Sequence, residues 1–361
     1  MKHFYKVRVT AVRRETANAV SFAVEPLEGQ EHFRFEAGQY LTFCVPVGGE
    51  ELRRSYSLCS SPFQGTLRVA AKEIPGGRVS THFNRELREG QTLECMPPDG
   101  NFTLSEVSGS DIVHLVFFAA GSGITPVISM IREALHRLPL AKITLFYGNT
   151  SADTTIFRDE LAGLTLNDRF QLVHILSDGS LGVPLFSGRI TFGKTLELLY
   201  NFCSENVSRH FYVCGPTGMM QSVISALEDS GIDKEYIHAE YFSAPLTEEG
   251  KQEAAKQSQA ESVVASSSSA SEIEITLDGR QHKFSLASAG LSILDAALDA
   301  GLDAPFSCKG GVCTTCRAQV SEGEVRMDSN FALTDREVQK GFILTCQSHP
   351  VSSKVKLTYD I

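Results

Sequence analysis

Along the first hundred or so residues, apolar and polar positions alternate in short runs. "FYKVRVTAV", "AVSFAVEP", "QYLTFCVPV", "RRSYSLCS", "TLRVAAKEI" and "QTLECMPP" are rich in valine, threonine and aromatics and are punctuated by Gly, Pro, Asn and Asp. Period-two runs of this kind read as strands, and their close spacing predicts a small antiparallel β-barrel. One helix-like stretch, "VSTHFNREL", interrupts them after "PGG".

From Asp111 the pattern changes. "DIVHLVFFAA" is continuously apolar, as expected for a parallel strand covered on both faces. After "GSGITP", Val127, Met130, Ile131, Ala134 and Leu135 recur at helical spacing. "KITLFYGN", "FQLVHILSD" and "HFYVCGP" continue the strands, with "IFRDELAGL" and "GMMQSVISALEDSG" as intervening helices. Alternation to about Phe242 predicts an α/β domain with a parallel sheet. The next thirty or so residues, rich in Ser, Ala, Gln and Glu, have almost nothing to bury and read as a flexible coil spanning roughly 30 Å. A hairpin, a helix and a cysteine-rich loop follow. The expected division is a barrel over residues 1–106, an α/β domain over 107–243, a linker over 244–272 and a last domain over 273–361.

Composition narrows the function classes. A chain of 361 residues outgrows one hydrophobic core. A net charge of −10 argues against nucleic acid or an anionic membrane as the partner. No apolar run reaches membrane-span length, and the start lacks a signal-peptide core. Nine cysteines, five of them scattered singly, suit free thiols in a reducing cytoplasm better than a disulfide framework.

The other four cysteines carry chemistry. Cys308, Cys313 and Cys316 have the spacing C-x4-C-x2-C, with Cys346 distant, which is the plant-type arrangement for a [2Fe–2S] centre. Structural zinc more often shows two short C-x2-C pairs. Gly310 and Gly311 would let the backbone wrap closely and aim N–H groups at sulfur. Two Glu-x-x-His matches, Glu133 with His136 and Glu235 with His238, lack the four-helix bundle a di-iron site needs.

The segment "PFSCKGGVCTTCRAQVSEGEVRM…LTCQSHP" resembles a plant-type ferredoxin domain, an α+β (β-grasp) fold, and the four cysteines fall on its ligand positions. "RSYS" and "PGGRVSTHF" together resemble the flavin domain of the ferredoxin–NADP reductase family. That resemblance implies FAD, with Arg54 on its phosphates, Ser55 in the same motif, Tyr56 packed on the ring and Ser57 near the reactive nitrogen. Gly77, Val79 and Ser80 would form the phosphate turn, with Ser80 or Thr81 as helix cap, and Ala71 and Lys72 would touch the flavin.

"GSGITP" and "CGPTGMM" each follow a strand and open a helix, as a phosphate-binding turn requires. In the same family these motifs line the nicotinamide coenzyme site. Gly121, Gly123, Thr125 and Pro126 would form one wall and Cys214, Gly215, Pro216 and Met219 the other. "EYF" would bring Glu240 and Phe242 close to the flavin. Ser57, Thr125, Cys214 and Glu240 are the implied catalytic set. Ser151 and Arg158 are candidates for an added coenzyme phosphate, favouring NADPH and leaving NADH open.

The domain order matches the reductase components of multicomponent oxygenases, most closely those of the ring 1,2-epoxidase kind. Electron counting agrees: a nicotinamide gives two electrons as hydride, a [2Fe–2S] centre takes one, and a flavin mediates. The implied partner is an oxygenase component. A stand-alone reductase, the reductase of another ring hydroxylase, or a redox sensor remains as an alternative.

Overall fold

The computed structural model describes residues 3–104, 107–108, 112–179, 182–203, 207–243, 270–287 and 290–361. The expected linker lies outside the described residues up to 269. Two compact units result, Lys2–Phe242 and Ser243–Ile361.

The first unit begins with six antiparallel strands, β1 (Tyr5–Thr16), β2 (Ala19–Pro26), β3 (Tyr40–Val47), β4 (Glu50–Ser57), β5 (Leu67–Lys72) and β6 (Thr92–Cys95), in the order β4-β3-β6-β1-β2-β5. An isolated bridge between Leu58 and Val69 joins the two edges. Helix α1 (Arg78–Arg85) plugs the barrel: Val79 and Phe83 are buried, and the Phe83 ring lies 4.9 Å from Phe22 and 5.8 Å from Phe43.

A parallel sheet follows, with β7 (Val113–Ala120), β8 (Lys142–Asn149), β9 (Phe170–Leu176), β10 (Ser208–Cys214) and β11 (Ile237–Glu240) in the order β11-β10-β7-β8-β9. The apolar run of β7 is explained by its two faces. Leu115, Phe117 and Ala119 join one core cluster, and Val116 and Phe118 join the other. Helices α2 (Ile124–Arg137), α3 (Arg158–Leu164), α4 (Phe192–Phe202) and α5 (Thr217–Asp229) connect the strands. The chain runs from β7 outward to β9, then returns across the sheet to β10. Strand order therefore reverses between β7 and β10, and a ligand crevice forms at such a switch point.

The second unit pairs β12 (Ala270–Leu277), β13 (Arg280–Ala287), β14 (Arg317–Glu322), β16 (Phe342–Leu344) and β18 (Lys354–Thr358) in the order β13-β12-β18-β14-β16. Strands β15 (Val325–Met327) and β17 (Ser348–Pro350) form a small ribbon. Helix α6 (Ile293–Asp299) buries Ile293, Leu294 and Ala297 against the sheet, and α7 (Asp335–Gln339) is short. Strand β12 starts at Ala270, three residues ahead of the expected domain start. No helix among the described residues is long and apolar enough to cross a membrane.

Candidate functional site

The α1 start is built from backbone. Gly76 is left-handed (φ 73°), and Gly77 is the N-cap. A Cβ on Gly77 would stand 2.4 Å from both Ile74 Cγ1 and Ser80 Oγ. Neither Ser80 nor Thr81 caps the helix, contrary to expectation. The Ser80 hydroxyl donates to the Gly77 carbonyl at 3.0 Å, so it sits inside the first turn rather than ahead of it. A first turn with no side-chain cap presents N–H groups suited to a phosphate. Val79 and Ala71 pack into the barrel core, leaving only their backbones to a ligand.

On β4, Arg54 is exposed and Tyr56 packs toward the plug, its ring 5.3 Å from Phe83. Ser55 points the other way, with Oγ 2.9 Å from Thr42 Oγ1. Lys72, at the end of β5, reaches the parallel sheet: a Cβ on Gly121 would lie 3.5 Å from its Nζ.

The two turns of the α/β part meet at the switch point. Gly121 is left-handed (φ 53°), and its carbonyl accepts from Tyr147 Oη at 3.0 Å. Gly215 lies against Ala120, and Met219 packs beside it. Thr125 and Pro126 are buried in the first turn of α2. A cleft of about 550 Å³ opens there, lined by Ala120, Gly121, Pro216, Met219, Asn149 and Thr150 among others.

At the end of β11, Ser57 Oγ donates to Glu240 Oε2 at 3.2 Å, joining barrel and sheet. Glu240 stands opposite Cys214 in the β10–β11 register. Burial raises the Glu240 carboxyl to about 8, against the opposing Ser57 hydrogen bond. Burial also pushes up the Cys214 thiol. Near neutral pH this corner therefore holds two protons. A carboxyl raised in the folded state keeps its proton while the unfolded chain loses it, so its contribution to stability fades as pH rises towards 8. Glu240→Gln should lose less stability than the parent between pH 5 and 8 in thermal melts. Parallel curves for the two proteins would show that the carboxyl titrates normally. Phe242, just beyond β11, is 44% exposed.

The two residues expected at a coenzyme phosphate are not among those lining the cleft. Arg158 is more than half exposed and flanked by Asp153 and Asp159, and Ser151 caps the turn beyond Thr150. Neither lines the cleft. Its cationic lining residues are Lys72 and Arg189, with Ser177, Thr191 and Ser222 as hydroxyl donors. Arg189 was missed because nothing local marks it. The bridge between Leu176 and Ser187 brings Gly188 and Arg189 back to the end of β9.

In the second unit Arg317 pairs with Leu344 across β14 and β16. That register brings the residue before Arg317 next to the segment after Leu344, which explains how the distant Cys346 meets Cys316. The Thr345 hydroxyl donates to the Cys316 carbonyl at 2.9 Å and accepts from Tyr359 Oη at 2.9 Å. Cys313, Cys316 and Cys346 are at most 8% exposed, and Cys308 is the more accessible. Hydrogen bonds from the Cys313 and Cys346 thiols hold Cys308 below the ordinary thiol range, helped by the Gly310 and Val312 N–H groups. The same contacts push Cys313 and Cys346 up. The Gly310 N–H points at Cys308 Sγ from 3.3 Å. Left-handed angles fall on Lys309 (φ 52°) and Gly311 (φ 73°) rather than on both glycines. Four converging thiols with N–H groups aimed at sulfur fit an iron–sulfur cluster.

Comparison with known proteins bears on all three sites. Residues 6–104 match the model of an oxidoreductase FAD-binding domain, 117–224 an oxidoreductase NAD-binding domain, and 275–351 a 2Fe-2S iron-sulfur cluster binding domain. A subunit of 1,2-phenylacetyl-CoA epoxidase from Escherichia coli is 38% identical, covering 100% of this chain and 99% of its own. The ferredoxin reductase component of 3-ketosteroid-9-alpha-monooxygenase from Rhodococcus rhodochrous is 32% identical, covering 97% and 95%. Phthalate dioxygenase reductase, described as a modular structure for electron transfer from pyridine nucleotides to [2Fe-2S], shares the fold at 24% identity. Its TM-score is 0.60, with 98% of both chains covered.

Proposed function

Because the chain belongs to the family of oxygenase reductase components with FAD-binding, NAD-binding and 2Fe-2S domains, we propose that its own acceptor is the oxygenase of a phenylacetyl-CoA epoxidase. The chain is an oxidoreductase that passes electrons from a nicotinamide coenzyme to an oxygenase component. The observation that carries the finer reading is 38% identity to the Escherichia coli epoxidase component over the full length of both chains. FAD supplies the conversion of a two-electron hydride into single electrons.

The chain's own residues do the rest. We infer that Arg54 and the Gly77–Ser80 turn hold the flavin phosphates and Tyr56 packs on its ring. Ser57 and Glu240 keep a proton beside the flavin, while the Gly121–Gly123 and Cys214–Gly215 turns seat the coenzyme, with Pro216 and Met219 in the cleft wall and Thr125 and Pro126 buried in the adjoining first turn of α2. Cys308, Cys313, Cys316 and Cys346 hold the cluster. Free cysteines support a cytoplasmic location.

Purified protein should carry FAD and two iron atoms per chain. It should also support NAD(P)H-dependent epoxidation of phenylacetyl-CoA when mixed with the oxygenase component. Turnover only with a different ring-hydroxylating oxygenase would overturn the acceptor assignment.

Coenzyme choice rests on Arg189. An added phosphate carries about two negative charges and calls for a cation with hydroxyl donors. Arg189 with Ser177 supplies both inside the cleft, which supports NADPH. Arg189→Ala should lower kcat/KM for NADPH about ten- to a hundredfold and spare NADH. Arg158→Ala should change neither. Equal losses with both coenzymes would place Arg189 at the shared pyrophosphate instead.

A further inference from the structure

We propose that Glu160 is a positioning residue: it latches the coenzyme-binding sheet onto the flavin barrel and so sets the approach of nicotinamide to flavin. The inference rests on reading the cleft and the barrel as the coenzyme and flavin sites.

Glu160, on α3, grips the barrel across a long sequence separation. Its Oε1 accepts from Arg68 Nη2 at 2.9 Å and from Arg13 Nη1 at 3.2 Å, and its Oε2 accepts from Arg68 Nη1 at 3.0 Å. Arg132 of α2 also donates to Oε2, and its other terminal nitrogen donates to the barrel carbonyl of Cys59 at 2.6 Å. Glu15, only 2% exposed, and Ser21 complete the shell around Arg68, at 2.7 and 2.9 Å. One helical turn from Arg132, Ser129 Oγ donates to the Ser60 carbonyl at 2.5 Å. Burial alone would raise the Glu160 carboxyl, but the hydrogen bonds and charges of Arg68 and Arg132 hold it below the ordinary range. It stays ionised at the seam.

A second observation comes from the backbone. Phe157, the N-cap of α3, is left-handed (φ 59°), a conformation an aromatic residue adopts only when its surroundings impose it. This kink lays the Phe157 ring under the Arg68 guanidinium, 5.2 Å from the centroid. The neighbouring Ile156 carbonyl lies 3.4 Å from Tyr147 Oη, which in turn donates to the Gly121 carbonyl. A contiguous path therefore runs from barrel arginines through Glu160, Phe157 and Tyr147 to the coenzyme turn. Glu160, Arg68 and Arg132 are only partly buried, so the network contributes little net stability, and its value here is that one carboxylate ties α2 and α3 to the barrel in one register.

The experiment is anaerobic stopped-flow reduction of the full-length holoprotein by NADPH and NADH, comparing wild type with Glu160→Gln. Wild-type reduction tests the reading of the two sites, and the variant-to-wild-type ratio tests the latch. The variant should reduce its flavin about ten- to a hundredfold more slowly at saturating coenzyme. Coenzyme Kd should change little, and the long-wavelength charge-transfer absorbance of stacked nicotinamide and flavin should weaken. An earlier melt with wild-type limiting rate and absorbance would overturn the proposal, as would a change in Kd alone or no change at all. If Glu160→Gln does not accumulate folded, Arg13→Ala and Ser129→Ala loosen the same seam at its edges and should each slow the limiting step about threefold. Wild-type rates in both would equally overturn it.

Discussion

Cys313→Ser in the full-length chain should abolish electron delivery to the oxygenase while the flavin is still reduced by coenzyme at close to the wild-type rate. Cys313 is 6% exposed and in mutual contact with Cys308. A serine hydroxyl is a hard, reluctantly ionised ligand where a soft thiolate is needed, so the four-sulfur set is broken. The barrel, the cleft and the Ser57–Glu240 corner all belong to the other compact unit, Lys2–Phe242, whose core clusters contain no residue of the cluster domain. The loss should therefore be confined to one step. Absorbance of the cluster should vanish from the spectrum, leaving a flavin spectrum that bleaches normally with NAD(P)H. If flavin reduction fell along with the cluster in a folded, FAD-loaded variant, the order of electron flow would be wrong.

The contrast between units shows what a linear sequence can carry. Strands and helices of the first unit were legible because burial imposes its period on neighbouring residues. The alternation along β1 and the unbroken apolar run of β7 each report how many faces are covered. The 2Fe-2S domain was legible because a cluster fixes the spacing of Cys308, Cys313 and Cys316 along one loop, while Cys346 comes from a separate segment after β16. Residues whose partners are set only by topology were not. Glu160 meets Arg68 and Arg13 from 92 and 147 residues away, and no local pattern marks that encounter. Proximity to a strand end favoured Arg158, which is more than half exposed and is not among the residues that line the cleft. Arg189 enters the cleft only because the chain folds back beside β9. Ser80 misled for a smaller reason. A serine shortly after a glycine pair looks like a cap, but Gly77 already ends the extended segment, so Ser80 falls within the helix.

Gly123→Ala should cost roughly ten- to a hundredfold in kcat/KM for coenzyme while leaving FAD and cluster in place. Unlike Gly121, Gly123 is not in the left-handed region, so backbone strain is not the reason. The reason is contact. A Cβ there would stand 2.1 Å from the Cys214 carbonyl oxygen, 2.5 Å from its carbon and 2.8 Å from Gly215 N. All three are backbone atoms at the end of β10, held by pairing with β7 on one side and β11 on the other. No side chain can rotate away, so the two coenzyme turns must separate. Overpacking of this kind costs about 1–3 kcal/mol, and about 2.7 kcal/mol corresponds to a hundredfold. The flavin turn at Gly76–Gly77 is built by other elements, and the four cysteines belong to the other compact unit, so both should keep their ligands. Gly163→Ala, where an added Cβ meets nothing within 4 Å, is the matching control and should behave as wild type. A Gly123→Ala protein with unaltered kcat/KM would mean that the two turns need not touch for the coenzyme to bind between them.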